Sequence, residues 1–293
     1  MQFRILGSLQ VCDGDDEVPV RGTKQRALLG LLLLQPNQPV SEDVLIESLW
    51  GDEPSARAAD NLHVLVSRLR RILGTDRLLR EGAGYLIRID EGDLDVATFE
   101  RLRGEGKLRE ALELWRGDAL ADFTYEGWAQ NEIRRLEELR LATLEERIER
   151  DLAAGVDGEL VGELQGLVAE HPLREALRRH LIVALYRSER QAEALEAYRD
   201  ARRMLDEELG LEPSPALREL EGAVLRHDRS LERPRAAPAI STTRARRPAA
   251  LVVAALALVG SFAAAIATIR VLDGDEAPRA AAAATTAKGK AQL

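Results

Sequence analysis

The apolar residues of this chain change period at Thr23, and no other feature constrains the fold as much. Before that point Phe3/Ile5, Leu9/Val11 and Val18/Val20 alternate, broken by Gly7-Ser8 and by the acidic turn Asp13-Gly14-Asp15-Asp16; alternation of this kind predicts small antiparallel strands. After it the spacing is helical. Thr23 is placed to cap a buried helix through Ala27-Leu28-Leu29-Gly30-Leu31-Leu32-Leu33-Leu34, which Gln35-Pro36 ends and which is too short to span a bilayer. Ser41, with Glu42 and Asp43 behind it, opens a second helix over 42–50 that Gly51 stops. A third helix is predicted over 57–73. At 100° per residue Leu62, Leu65, Val66, Leu69, Ile72 and Leu73 share one face, Asp60, His63, Val64, Ser67 and Arg71 share the other, and Asn61 and Arg68 lie on its flank. Leu78-Leu79-Arg80 and Tyr85-Leu86-Ile87, joined by the turn Gly82-Ala83-Gly84, predict a hairpin. Strands, three helices and a closing hairpin together describe a winged helix.

From Leu94 to Leu231 the helical period continues, with candidate helical hairpins at 96–120, 127–153, 161–171, 173–187 and 191–209 that predict a stacked array. The stretch 181–213 has the form of one tetratricopeptide-type unit, with small Ala192, Ala194 and Ala197 permitting close approach and Tyr186 and Tyr198 filling the groove. Residues 232–247 are rich in Pro, Ala and Arg and predict a flexible linker. Residues 248–269 carry no charge, about 33 Å as a helix, and predict a transmembrane span over 248–270. Six basic residues flank it on one side (Arg229, Arg233, Arg235, Arg244, Arg246 and Arg247) against three on the other (Arg270, Arg279 and Lys288), so the larger part is expected in the cytoplasm and 271–293 outside it. The expectation is a single-pass protein of the cytoplasmic membrane. The fold class expected is mainly α: a winged helix-turn-helix over 1–92, an all-α tetratricopeptide-like domain over 93–231, and one transmembrane helix.

Chemistry of the usual catalytic kinds is missing. Cys12 is the only cysteine, the four histidines are scattered, and no Walker loop, dinucleotide-binding glycine pattern, nucleophile elbow or His-Glu-x-x-His occurs; no cofactor, metal or enzymatic activity is expected. Aromatic residues make up 4% of the chain, too few for a base-stacking platform. Arg174, Arg178 and Arg179 form a basic cluster on one helix, read as either a solvated face or a phosphate site. The outer face of the third helix fits a DNA major groove, where Arg68 and Arg71 are able to donate two bonds each to guanine. Residues 1–92 hold 11 basic and 14 acidic side chains, a net of −3, so any DNA-binding surface must be strongly polarised.

Longer matches sharpen this reading. Gly22-Thr-Lys-Gln-Arg-Ala-Leu-Leu29, Pro39-Val-Ser41, Leu49-Trp-Gly51, Asn61-Leu-His-Val-Leu-Val-Ser-Arg-Leu-Arg-Arg71 and Gly84-Tyr-Leu86 resemble the response-regulator type winged helix of SARP-type transcriptional activators. Asp95-Val-Ala-Thr-Phe99, Trp115-Arg-Gly-Asp-Ala-Leu120, Ala194-Leu-Glu-Ala-Tyr-Arg199 and Leu205-Asp-Glu-Glu-Leu-Gly-Leu-Glu-Pro-Ser-Pro215 resemble that family's bacterial transcriptional activation domain. The resemblance implies a dimer or higher array on direct repeats of double-stranded DNA that recruits RNA polymerase. It places Arg68, His63 and Val64 against bases; Asn61, Ser67, Arg71 and Trp50 near phosphates; Tyr85 on the wing; and the loop 51–56 toward polymerase. Ser67 stands where related winged helices often carry a second basic residue, and Gly82-Ala83-Gly84 offers no arginine at the wing tip. The competing expectation is a membrane-anchored helical-repeat adaptor whose winged helix binds protein and not DNA.

Overall fold

A computed structural model describes residues 1–51 and 54–232 of the chain. Three short strands open it: β1 (Gln2–Arg4), β2 (Gln10–Asp13) and β3 (Asp16–Glu17) form an antiparallel sheet in that order, with Phe3 opposite Val11 and Cys12 opposite Glu17. Val18 and Val20, expected to extend a strand, lie beyond it. Helix α1 (Thr23–Leu33) follows; Gly22, at φ 91, is its cap residue, and Thr23 is already inside the first turn without a capping bond. Six apolar residues, Gly30 and Gln25 make most of α1 buried. Gly30 is required there, because a β-carbon would press within 3.0 Å of the Phe123 ring and 3.1 Å of Trp128.

The two-residue strand β4 (Val40–Ser41) leads into α2 (Glu42–Trp50). The Ser41 hydroxyl accepts from the Val44 amide at 3.3 Å, as a capping serine should, and Gly51 ends the helix at φ 82. Lys24 donates from its ammonium to the Leu49 carbonyl, satisfying one of the carbonyls that α2 leaves without a partner. Helix α3 (Ala58–Leu73) buries Leu62, Leu65, Val66, Leu69 and Leu73 and ends at Gly74. The hairpin of β5 (Leu78–Glu81) and β6 (Gly84–Ile87) pairs through β6 with β4, in sheet order β4-β6-β5. Gly84 is fixed by this pairing: a β-carbon there would fall on the Val40 carbonyl.

The second half is helical throughout: α4 (Asp95–Gly104), α5 (Leu108–Leu112), α6 (Gln130–Ala154), α7 (Asp157–Glu170), α8 (Glu175–Arg187), α9 (Gln191–Leu209) and α10 (Pro215–Leu225), with short 3-10 turns at Ala121–Phe123, Gly127–Ala129 and Arg229–Leu231. Residues 127–153 are not a hairpin; they hold one 3-10 turn and most of a single 25-residue helix, because no Gly or Pro interrupts the run between Gln130 and Ala154. In the α8/α9 pair Ala194 and Tyr198 are buried as expected, but Ala192 is exposed.

Packing divides the molecule later than the sequence pattern suggested. One apolar cluster runs from Phe3 through the winged helix to Phe99, Trp115, Phe123 and Leu136; a second runs from Leu141 to Leu231. Polar bonds reinforce the first. The buried Asp95 carboxylate accepts from the amides of Ile5 and Leu6, each at 2.9 Å; Arg116 donates to the Ser8 carbonyl at 3.2 Å; and Arg26 pairs with Asp122 at 2.5 Å. The first β-sheet and the start of the helical part therefore share one core.

Candidate nucleic-acid interface

Helix α3 presents its polar side to solvent. Asn61, His63, Val64, Ser67, Arg68 and Arg71 are all exposed, Val64 to 48% despite its apolar side chain. Arg68 and Arg71 are one turn apart, and neither makes an ion pair with another described residue. These six side chains lie together on one helix, as the spacing predicted. The other two predicted residues do not join them. Trp50 closes α2, half-buried and packed against the core. Tyr85 is only 3% exposed, on β6 between Val40 and Arg80, so its ring supports the wing from inside instead of extending from it. The loop ahead of α3 has Gly51, Pro54, Ser55 and Ala56 exposed, while Asp52 and Glu53 lie outside the described residues.

What joins helix to hairpin is a set of residues that spacing did not single out. Glu42, the first residue of α2, lies 3.0 Å from an Arg80 guanidinium nitrogen through one carboxylate oxygen and 3.5 Å from His63 Nε2 through the other. The Arg70 and Arg80 guanidinium groups each sit 5.9 Å from the centre of the Tyr85 ring, and Arg70 Nε donates to the Leu78 carbonyl at 2.8 Å. Burial pushes the Tyr85 hydroxyl above its ordinary value, and the Glu42 carboxylate adds to this. Arg70 braces the hairpin against α3, and Glu42 ties His63 on the helix to Arg80 on the wing. Glu42 and Arg80 are 38 positions apart in sequence, so periodicity within either element carries no trace of their pairing. The one available signal was Arg80 itself, a cation beside a hairpin turn.

The surface that results is a half-exposed helix carrying two unpaired guanidinium groups, a histidine and an apolar side chain, with a hairpin fastened to its flank. No group of three or more metal-ligating side chains gathers among the described residues.

Comparison with known proteins bears on this geometry. Residues 17–87 match the family model described as transcriptional regulatory protein, C terminal, and residues 94–225 match the bacterial transcriptional activator domain. The regulatory protein DnrI of Streptomyces peucetius is 38% identical over 258 residues, spanning 80% of this chain and 95% of DnrI. The chain belongs to the SARP-type family of transcriptional regulators. Its SARP relatives are regulators and not enzymes. The regulatory protein AfsR of Streptomyces griseus is 41% identical over 253 residues, 82% of this chain, but the chain spans only 26% of the length of AfsR. The solved structure of Mycobacterium tuberculosis EmbR in complex with a low-affinity phosphopeptide superposes with a TM-score of 0.71 at 32% identity, covering 77% of this SARP chain and 65% of EmbR.

The expectation of a single-pass membrane protein is overturned. No helix among the described residues is long and apolar enough to cross a membrane, and the SARP relatives are transcription regulators. The segment 248–270 that suggested a span, uncharged up to Arg270, lies outside the described residues, as do the tail 271–293 and all but the first residue of the linker 232–247. Lack of charge over about 20 residues meets the length condition for a span, and length was the physical ground of that reading.

Proposed function

We propose that this regulator binds double-stranded DNA through the outer face of α3 and activates transcription from the promoters it occupies, as a dimer or higher array on repeated sites. The observation that carries the proposal is the pair of exposed guanidinium groups, Arg68 and Arg71, free of ion pairs with described residues and flanked by His63, Val64, Ser67 and Asn61. A helix fits the major groove, and a guanidinium there donates two bonds to the acceptors on guanine. Arg68, His63 and Val64 are assigned to base edges and Asn61, Ser67 and Arg71 to phosphates. Trp50 and Tyr85 act by supporting the helix and wing from within, and Arg80 supplies the exposed cation of the hairpin. Residues 1–92 form the DNA-binding part, residues 93–231 the activation part, and the loop 51–56 the contact with RNA polymerase.

The test is selection of a randomised duplex library by the purified protein, followed by salt titration on the recovered sequence. Recovery of a direct repeat with a steep salt slope is expected. Arg68→Ala should cost about 1–3 kcal/mol and relax preference at one base position, whereas Arg71→Ala should weaken all sequences alike and reduce the salt slope by about 1. Weak, unselective binding that Arg68→Ala leaves unchanged would instead favour the protein-binding adaptor.

A further inference from the structure

The helical part contains a groove that the DNA-binding proposal does not use. Its volume is about 580 Å³, within the range of small-molecule sites, and it is bounded by α7, α8 and α9. Its apolar lining is Val168, Ala169, Leu181, Leu185, Ala197 and Met204. Arg178 also lines it, and Arg178 is only 6% exposed. Of the basic cluster on α8, Arg174 is paired with Glu138 at 2.8 Å and Glu145 at 2.7 Å, and Arg179 is exposed; Arg178 alone is buried without an ion pair to any described residue. Its Nε donates to the Pro172 carbonyl at 2.6 Å, which aims the guanidinium without neutralising it. Asp200, the acid whose charge acts on it, is already held by Arg203 at 2.6 Å. A buried cation without a counter-charge is costly, and guanidinium is the group best shaped to receive a carboxylate with two parallel bonds.

We propose that this groove binds a small monocarboxylate with an apolar body, its carboxylate on Arg178 and its body along the apolar lining. The rim narrows the choice. Glu193 is paired with Arg190, but Glu196 and Glu207 are exposed acids with no partner among the described residues, so a second negative charge on the ligand would meet repulsion. Dicarboxylates and phosphate esters are therefore disfavoured. This site stands independently of DNA recognition by α3, and its occupant is small, apolar and singly charged.

Calorimetry and arginine side-chain NMR on the full chain test the inference, with 3-phenylpropionate, its neutral amide and succinate as probes. The carboxylate should bind saturably, with a dissociation constant on the order of 1 mM for so small a probe, and should shift the Arg178 Nε–H signal. The amide and succinate should bind at least about tenfold more weakly. Arg178→Gln should lose about tenfold in affinity for 3-phenylpropionate, and Arg179→Gln, at the exposed neighbour, should lose none. Arg178→Lys keeps the charge and should retain part of the binding, which separates loss of the site from loss of the fold. Equal affinity for acid and amide, full affinity in Arg178→Gln, or no saturable binding by any probe would overturn it.

Discussion

At the scale of single residues, burial decides what each polar group contributes. His180 on α8 is 7% exposed, and its Nδ1 has no hydrogen-bond partner among the described residues. Burial pulls its proton affinity below the ordinary value, Arg179 adds to that, and Glu149 and Glu145 on α6 oppose it. The folded state thus holds His180 neutral where the unfolded chain, titrating near 6.5, takes up a proton. Its contribution to stability is present above about pH 6.5 and is lost as pH falls through the depressed folded value. Denaturant titrations between pH 7.5 and 5 should show the wild-type chain losing stability faster than His180→Leu, and parallel curves for the two would refute the assignment. Glu42 follows the opposite logic, since it is partly exposed and its value lies in geometry. Glu42→Gln should leave the fold intact yet loosen Arg80 and His63, changing the preference among DNA sequences more than the overall affinity.

Helices and strands here are set by a few positions that local chemistry makes necessary. The Ser41 cap supports α2, so Ser41→Ala should lower stability by about 1 kcal/mol, read from the urea midpoint. The wing is more sensitive. Gly84 packs its α-carbon against the Val40 carbonyl, and Gly84→Ala must push β6 off β4, at a cost of about 1–3 kcal/mol from overpacking. Because Tyr85 is the next residue and carries the contacts to Arg70 and Arg80, the same substitution should also weaken DNA binding beyond what the stability loss explains. Binding measured well below the melting temperature separates the two effects. Helix α3 itself needs no such device: six buried apolar residues and two arginines in its last turn hold its orientation and leave the other side free.

Across the whole molecule, the decisive feature is the seam between the first sheet and α4. Asp95 binds two amides of the first strand region and lies 3.6 Å from Arg116, while Phe3 and Ile5 share a core with Phe99 and Trp115. Asp95→Ala would strand two buried amide donors, a loss of about 1–3 kcal/mol each, and should speed hydrogen exchange at Ile5 and Leu6 first. For the same reason a fragment ending at residue 92 should unfold at much lower denaturant than the intact chain, because it exposes the apolar surface that Phe99, Trp115 and Phe123 cover. Motion of the winged helix is in this way coupled to α4 and α5 instead of passing through a free hinge.

The three helices and closing hairpin of the winged helix, the buried stripe of α3, its six exposed candidates and the Ser41 and Gly51 helix ends were legible in the sequence, because each depends on residues within a few positions of one another; the two-residue strand β4 and the unbroken run of α6 were not. The family was legible for the same reason, carried by contiguous motifs. The interior position of Tyr85, the bridge from Glu42 to His63 and Arg80, the seam at Asp95 and the unpaired Arg178 were not. Each arises where separate elements meet, and a side chain's partner there is set by how those elements pack. Local sequence determined which faces are apolar; only tertiary packing decided which charges meet a partner and which are left open to a ligand.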